Sequence, residues 1–188
     1  MTDHGAVHIQ ITANAALKLL RLLIEAGIQT SVEANYEMTA EDAEVIIVNT
    51  CSFIESAADE SIDTILELAE HKNEGRCSRL IVTGCLPERY RQEITKAIPE
   101  VDVFLGTGAF DRIVEAVRGH LDTAKCVLPD PDSLSPLAAN VSRERSNRWM
   151  AYVKIAEGCS RQCTYGIIPT LRGRRKSRST DDVVADSR

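Results

Sequence analysis

Three short apolar runs constrain the fold of this chain more than any other feature: "EVIIVNT" (44–50), "RLIVTG" (79–84) and "VDVFLG" (101–106). Each is rich in Val, Ile or Phe and is too short for a helix. Runs with little polar alternation mark strands buried on both faces, as in a parallel sheet covered by helices. The segments between them have helical spacing. "ESAADESIDTILELAEHK" (55–72) repeats apolar residues at Ala58, Ile62, Ile65, Leu66 and Ala69, one stripe of an amphipathic helix. "LPERYRQEITKAI" (86–98) begins a helix with Pro87 in its first turn, and "FDRIVEAVRGH" (110–120) closes the series. Upstream, "VHIQIT" (7–12) reads as a strand. "NAALKLLRLLIEAG" (14–27) reads as a helix stopped by Gly27. The repeated β–α order predicts an α/β domain over residues 1–127, with a mostly parallel sheet flanked by helices.

The pattern then breaks. "LPDPDSLSPLAANVSRERSNR" (128–148) is rich in Pro, Ser, Asn and charge and reads as a linker. "WMAYVKIAEG" (149–158) reads as a strand leading into a cysteine loop, followed by the basic stretch "LRGRRKSR" (171–178). A helix start follows in "STDDVVADSR" (179–188), with Ser179 or Thr180 as cap and Asp181 and Asp182 in the first turn. Residues 149–188 therefore read as the opening of a second domain.

Composition narrows the function. A net charge of −6 and 4% aromatic residues argue against a broad nucleic-acid footprint or base stacking. No apolar run reaches the ~18–20 residues that a membrane helix needs. The start "MTDHGAVHIQ" lacks the apolar stretch of a signal peptide, so the expected address is cytoplasmic. There the six cysteines are expected as thiols, ligands or reactive groups rather than structural disulfides.

Four of these cysteines stand in places that matter. Cys51 follows the first apolar run and Cys85 the second. Open α/β sheets build their sites at the carboxyl edge, where both thiols would then sit. With strands ~4.8 Å apart, a metal cluster could bridge them. Read otherwise, they are two half-buried thiols that pack as small hydrophobes. A cluster uses three or four thiolates, and no cysteine precedes Cys51; His8, Thr12 and Asn14 are the nearest polar candidates. The second pair is Cys159 and Cys163, with Gly166 three further on. A cysteine at that position would make C-x3-C-x2-C, three thiolates for three irons of a 4Fe–4S cluster. The fourth iron would stay open for a ligand, expected to be S-adenosylmethionine. Alternatively, Cys159 and Cys163 hold zinc with partners from elsewhere. Cys77 and Cys126 belong to no motif and read as plain thiols. The basic residues Arg172, Arg174, Arg175, Lys176 and Arg178 read either as a contact surface or as a solvated loop.

"KIAEGCSRQCTYGIIPTLRGRRKSRS" resembles the opening of the radical-SAM domain of the methylthiotransferases, whose pattern is E-G-C-x3-C-x2-C-I-I-P-x2-R-G. "VIIVNTCSFIESAADESIDTILELA" and "LIVTGCLPERYRQEITKAIPEVDVFLGTG" resemble the amino-terminal cluster domain of the same family. The wording "NTCSFI" and "GCLPERY" is most similar to the branch acting on a small-subunit ribosomal protein (RimO type), more than to the branch acting on tRNA adenosine. The resemblance covers roughly residues 40–188 and is weaker before that.

The resemblance implies two 4Fe–4S clusters and S-adenosylmethionine. The first cluster carries sulfur. The second generates a radical that removes hydrogen from an aspartate β-carbon, which then receives a methylthio group. Carried over residue by residue, Cys51 and Cys85 match the second and third ligands of the amino-terminal cluster. Cys159 and Cys163 match the first two radical-SAM ligands. The family's first ligand lies in a glycine–cysteine–proline stretch with no counterpart in "VHIQITANAALKLL", and Gly166 stands at the third radical-SAM position. Each cluster is one thiolate short, with His8 or Asn14 as conceivable stand-ins for the first. Residues 149–188 would be a stub of a (β/α) barrel, which takes ~200 residues or more. The expectation is a chain not competent for the family reaction by itself. The alternative is a non-catalytic module that binds the ribosomal protein or associates with itself.

Overall fold

The computed structural model describes residues 26–27, 43–121, 125–133 and 153–186. The expected strand 7–12, with His8, and the expected helix 14–27, with Asn14, lie outside the described residues except for Ala26 and Gly27. These two stand in a turn, with Gly27 at φ +71°. The chain divides into two compact units, Met1–Pro129 and Asp130–Arg188.

In the first unit the apolar runs form a parallel sheet. Its strands are β1 (Val45–Thr50), β2 (Arg79–Gly84), β3 (Val103–Leu105) and β4 (Cys126–Val127), in the order β1-β2-β3-β4. β1 and β2 pair from Val45↔Arg79 to Thr50↔Gly84. The helices are α1 (Glu55–Glu74), α2 (Cys85–Tyr90), α3 (Ile94–Ala97) and α4 (Ile113–Val117), so the α/β class read from the sequence holds.

The alternation of side chains along each strand divides the core between the two faces. One face packs Ile46, Val48, Leu80, Val82 and Phe104 with Ala58, Ile65 and Ala69 of α1 and Leu86 and Ile94 of α2 and α3. The other packs Ile81, Val103 and Leu105 with Ala109, Ile113, Ala116 and Leu121. Asp102 ties the layers at the amino end of the sheet: its carboxylate accepts from Leu80 N at 2.7 Å and pairs with Lys72 of α1 at 2.7 Å.

Four expectations are corrected. β1 is not buried on both faces; its residues alternate between half-buried and buried, because it is the outermost strand among the described residues. Leu66 is exposed rather than on the buried stripe, since its neighbour Ile65 already fills the sheet-facing position one residue earlier. The helix expected over 86–98 is interrupted by a 3-10 turn, Arg91–Glu93, where Arg91 takes φ +49°. Of the strand expected over 149–158, residues 149–152 lie outside the described residues, and among 153–158 the strand is confined to β5 (Ala156–Glu157). It pairs antiparallel with β6 (Lys176–Ser177) rather than continuing a long run.

The second unit also holds α5 (Ile168–Arg172) and α6 (Thr180–Asp186). Ser179 caps α6, its Oγ accepting from Asp182 N at 3.2 Å. Within the expected linker, Pro131 and Asp132 are bonded into this unit: Asp132 Oδ1 accepts from Arg174 N at 2.6 Å, and Lys176 Nζ donates to Pro131 O. Residues 134–148 lie outside the described residues.

Candidate functional site

The carboxyl edge of the first unit's sheet brings Cys51 and Cys85 side by side. Thr50 and Gly84 are register partners on adjacent parallel strands, and each cysteine is the next residue. Gly84 makes this approach possible. It stands at φ +105°, and a Cβ there would run into Thr50 O. Thr50 then binds the edge together. Its hydroxyl donates to Thr83 O at 2.7 Å and accepts from Leu86 N at 3.3 Å, in the first turn of α2. Both cysteines are half-buried thiols.

Two further groups shape this edge. Ser61, on α1, has its Oγ 2.8 Å from Cys51 O and accepts from Cys51 N at 3.3 Å. Glu88, on α2, is fully buried and pairs with Arg91 at 2.6 Å. Its carboxylate lies against Gly106 at the end of β3, where a Cβ would collide with it. Arg89 donates to Ser52 O at 2.9 Å. Ser52, Glu88 and Arg89 stand in the cysteine-bearing stretches "NTCSFI" and "GCLPERY", whereas Ser61 lies outside both. Ser61 and Glu88 are polar residues within helical segments, which sequence reading assigns to the wet face.

The second pair sits on a loop. Cys159 is half-buried and Cys163 exposed. Cys159 N donates to Gly173 O at 3.1 Å, and Arg175 N donates to Ser160 Oγ at 3.1 Å. Gly158 and Gly173 both adopt positive φ, +74° and +72°, and let these two segments touch. Gly166 differs from both. Its φ is ordinary, and a Cβ there would stand 3.3 Å from Cys163 Cβ, a tight but yielding contact. Beside the loop, burial pushes the Glu157 carboxyl up. The Arg172 guanidinium and the Lys154 ammonium outweigh this and hold it below the ordinary carboxylate range.

The basic stretch is mostly spent inside the unit. Arg172 pairs with Glu157 at 3.2 Å and Arg178 with Asp182 at 2.6 Å. Arg174 and Arg175 are the exposed ones. Cys77 is buried at the amino end of β2, donating to Arg79 O at 3.3 Å. At Cys126, burial pushes the thiol up, against the pull of Arg91 and with a small addition from Glu88.

Among the described residues, no group of three or more His, Cys, Asp or Glu side chains converges as a metal site. Each cysteine pair supplies two thiols. Among the described residues, no third ligand joins either pair to complete a cluster held by three protein thiolates, and none joins Cys159 and Cys163 at a zinc site. Among the described residues, no helix is long and apolar enough to cross a membrane.

Comparison with known proteins agrees with this arrangement. Residues 18–106 match the model of "Uncharacterized protein family UPF0004". The chain is 54% identical over 147 residues to the ribosomal protein uS12 methylthiotransferase RimO of Desulfosudis oleivorans, covering 78% of this chain and 33% of that protein. It is 46% identical over 172 residues to the RimO of Pelobacter propionicus, covering 88% and 38%. Against the RimO of Geobacter sulfurreducens it is 47% identical over 156 residues, covering 81% and 35%. The chain thus spans about a third of the length of these relatives. With identities of 46–54% to these relatives over 78–88% of its own length, the chain belongs to the RimO-type methylthiotransferase family.

Proposed function

We propose that this chain is part of the machinery that transfers a methylthio group to an aspartate of ribosomal protein uS12. In this reading Cys51 and Cys85 are the metal-facing thiols of the first unit, within a domain spanning residues 1–127. Cys159 and Cys163 are the radical-SAM thiols of the second, over residues 149–188. The cofactors are 4Fe–4S clusters and S-adenosylmethionine, the partner is the ribosomal protein, and the compartment is the cytoplasm. The observation that supports the reading is the Thr50↔Gly84 register: Cys51 and Cys85 each follow one of these partners, at the edge where α/β sheets bind ligands. With two thiolates at each position, the chain by itself is not competent for turnover.

The test is anaerobic reconstitution with iron and sulfide, followed by iron, sulfide and visible absorption. The expected result is weak, labile iron binding that falls in Cys51→Ser and rises in Gly166→Cys. Equal iron content in all three proteins would overturn the assignment.

A second reading, self-association, is favoured by Tyr165 at 88% and Ile155 at 60% exposure in the second unit. Sedimentation of the wild-type chain distinguishes it: a monomer at all concentrations removes it.

A further inference from the structure

We propose that Ser61 is a positioning residue that fixes the backbone of Cys51 and so aims its thiol. The inference rests on reading Cys51 as a functional thiol.

The hydroxyl of Ser61 engages both polar groups of one peptide residue. Its oxygen accepts from Cys51 N at 3.3 Å, and its single proton is shared between Cys51 O at 2.8 Å and Ala57 O at 2.7 Å. A backbone whose N–H and C=O both end on one side chain has little freedom left in φ and ψ, and the Cα–Cβ bond of Cys51 follows that backbone. The helix opens at Ile54 without a side-chain cap. Of the three residues between Cys51 and α1, Phe53 and Ile54 are 42% and 56% exposed, while Ser52 is buried and its carbonyl accepts from Arg89 at 2.9 Å. The carboxyl edge is thus held by Thr50 through β2, by Arg89 of α2 at Ser52 and by Ser61 of α1, and of these it is Ser61 that bonds Cys51 itself. Cys85 needs no equivalent, since it already lies within α2.

The substitution separates cleanly from general destabilisation. Ala has a higher helix propensity than Ser, so Ser61→Ala does not weaken α1 as a helix. The experiment compares wild type, Ser61→Ala and Ser61→Thr in the full chain without metal. Alkylation of Cys51 and Cys85 is followed by peptide mass spectrometry in the same sample, and amide exchange at Cys51 by NMR. In Ser61→Ala the Cys51 amide exchanges about tenfold faster, as loss of one hydrogen bond implies. Cys51 labelling changes several-fold and Cys85 labelling stays constant, while the denaturation midpoint falls by no more than the loss of one hydrogen bond implies. Ser61→Thr, which keeps the hydroxyl, stays close to wild type. Equal changes at Cys51 and Cys85, no change at Cys51, or a threonine variant that behaves like alanine would each overturn the proposal. Iron content after reconstitution is read separately. If wild type binds no iron yet Ser61→Ala releases Cys51, the clamp stands and the metal reading falls.

Discussion

The two cysteine pairs solve one problem, holding two thiols near each other, by opposite means. Cys51 and Cys85 are distant in sequence and meet because β1 and β2 run parallel in register. Cys159 and Cys163 are close in sequence and share a loop between β5 and α5. The first pair is embedded in a sheet whose central strand β2 is buried from Leu80 to Gly84. The second rests on a pair of two-residue strands and two glycines at positive φ. The comparison shows that a short motif is what a protein needs when the scaffold is thin. A packed sheet makes the motif unnecessary, because geometry supplies the spacing.

Substitutions can break this contrast. The largest effect is expected from glycine. Gly84→Ala would place a Cβ against Thr50 O at a φ that L-residues rarely adopt, and should destabilise the first unit by about 3 kcal/mol or more in urea denaturation. Gly166→Ala, with ordinary φ and only the Cys163 Cβ to displace, should stay within ~1 kcal/mol in the same measurement. Similar losses at both positions would mean that the two regions are equally rigid.

Smaller effects sharpen it. Thr50→Val keeps the shape but removes the hydroxyl that Thr83 O and Leu86 N share, so a loss of ~1–2 kcal/mol is expected, read from the denaturation midpoint. Asp132→Ala removes the acceptor for Arg174 N, beside the segment that holds Cys159. It should cost ~1 kcal/mol, with faster amide exchange at Cys159 and none of the change at Cys51. The smallest effect is kinetic. At pH 8 the raised thiol of Cys126 carries less thiolate than an ordinary cysteine, so iodoacetamide should label it more slowly than exposed Cys163. The gap should narrow as pH rises through the Cys126 value.

Much of the sheet was legible because "RLIVTG" and "EVIIVNT" are apolar and bounded, and a buried strand needs little more. That β1 is the outermost of the described strands was not, since strand order depends on pairings between distant segments. The break at Arg91 was hidden because arginine is a good helix former; the kink comes with a buried partner, Glu88, that no local pattern announces. At the site, the strand-end positions of Cys51 and Cys85 could be read from the runs before them. Ser61 and Asp132 could not. Their partners lie across space, and in sequence they look like a helix surface and a turn-rich linker. The resemblance located the thiols, and only packing located what holds them.

The register of β1 and β2 has a consequence for chain length. The residues that lead into the first two cysteines, Thr50 and Gly84, are held at the ladder spacing of ~4.8 Å whatever the number of residues joining them. Residues 52–78 leave the sheet as a helix and return, so a length change after α1, in the turn that leads into β2, would alter that excursion and leave the β1–β2 register and the Ser61 bonds as they are. A single residue added within β1 would instead turn its inward side chains outward and carry Cys51 out of step. For the second pair the tolerances reverse: one residue inserted between Cys159 and Cys163 resets their spacing at once. Within one chain, then, one pair is tolerant of length change between its members and the other is not.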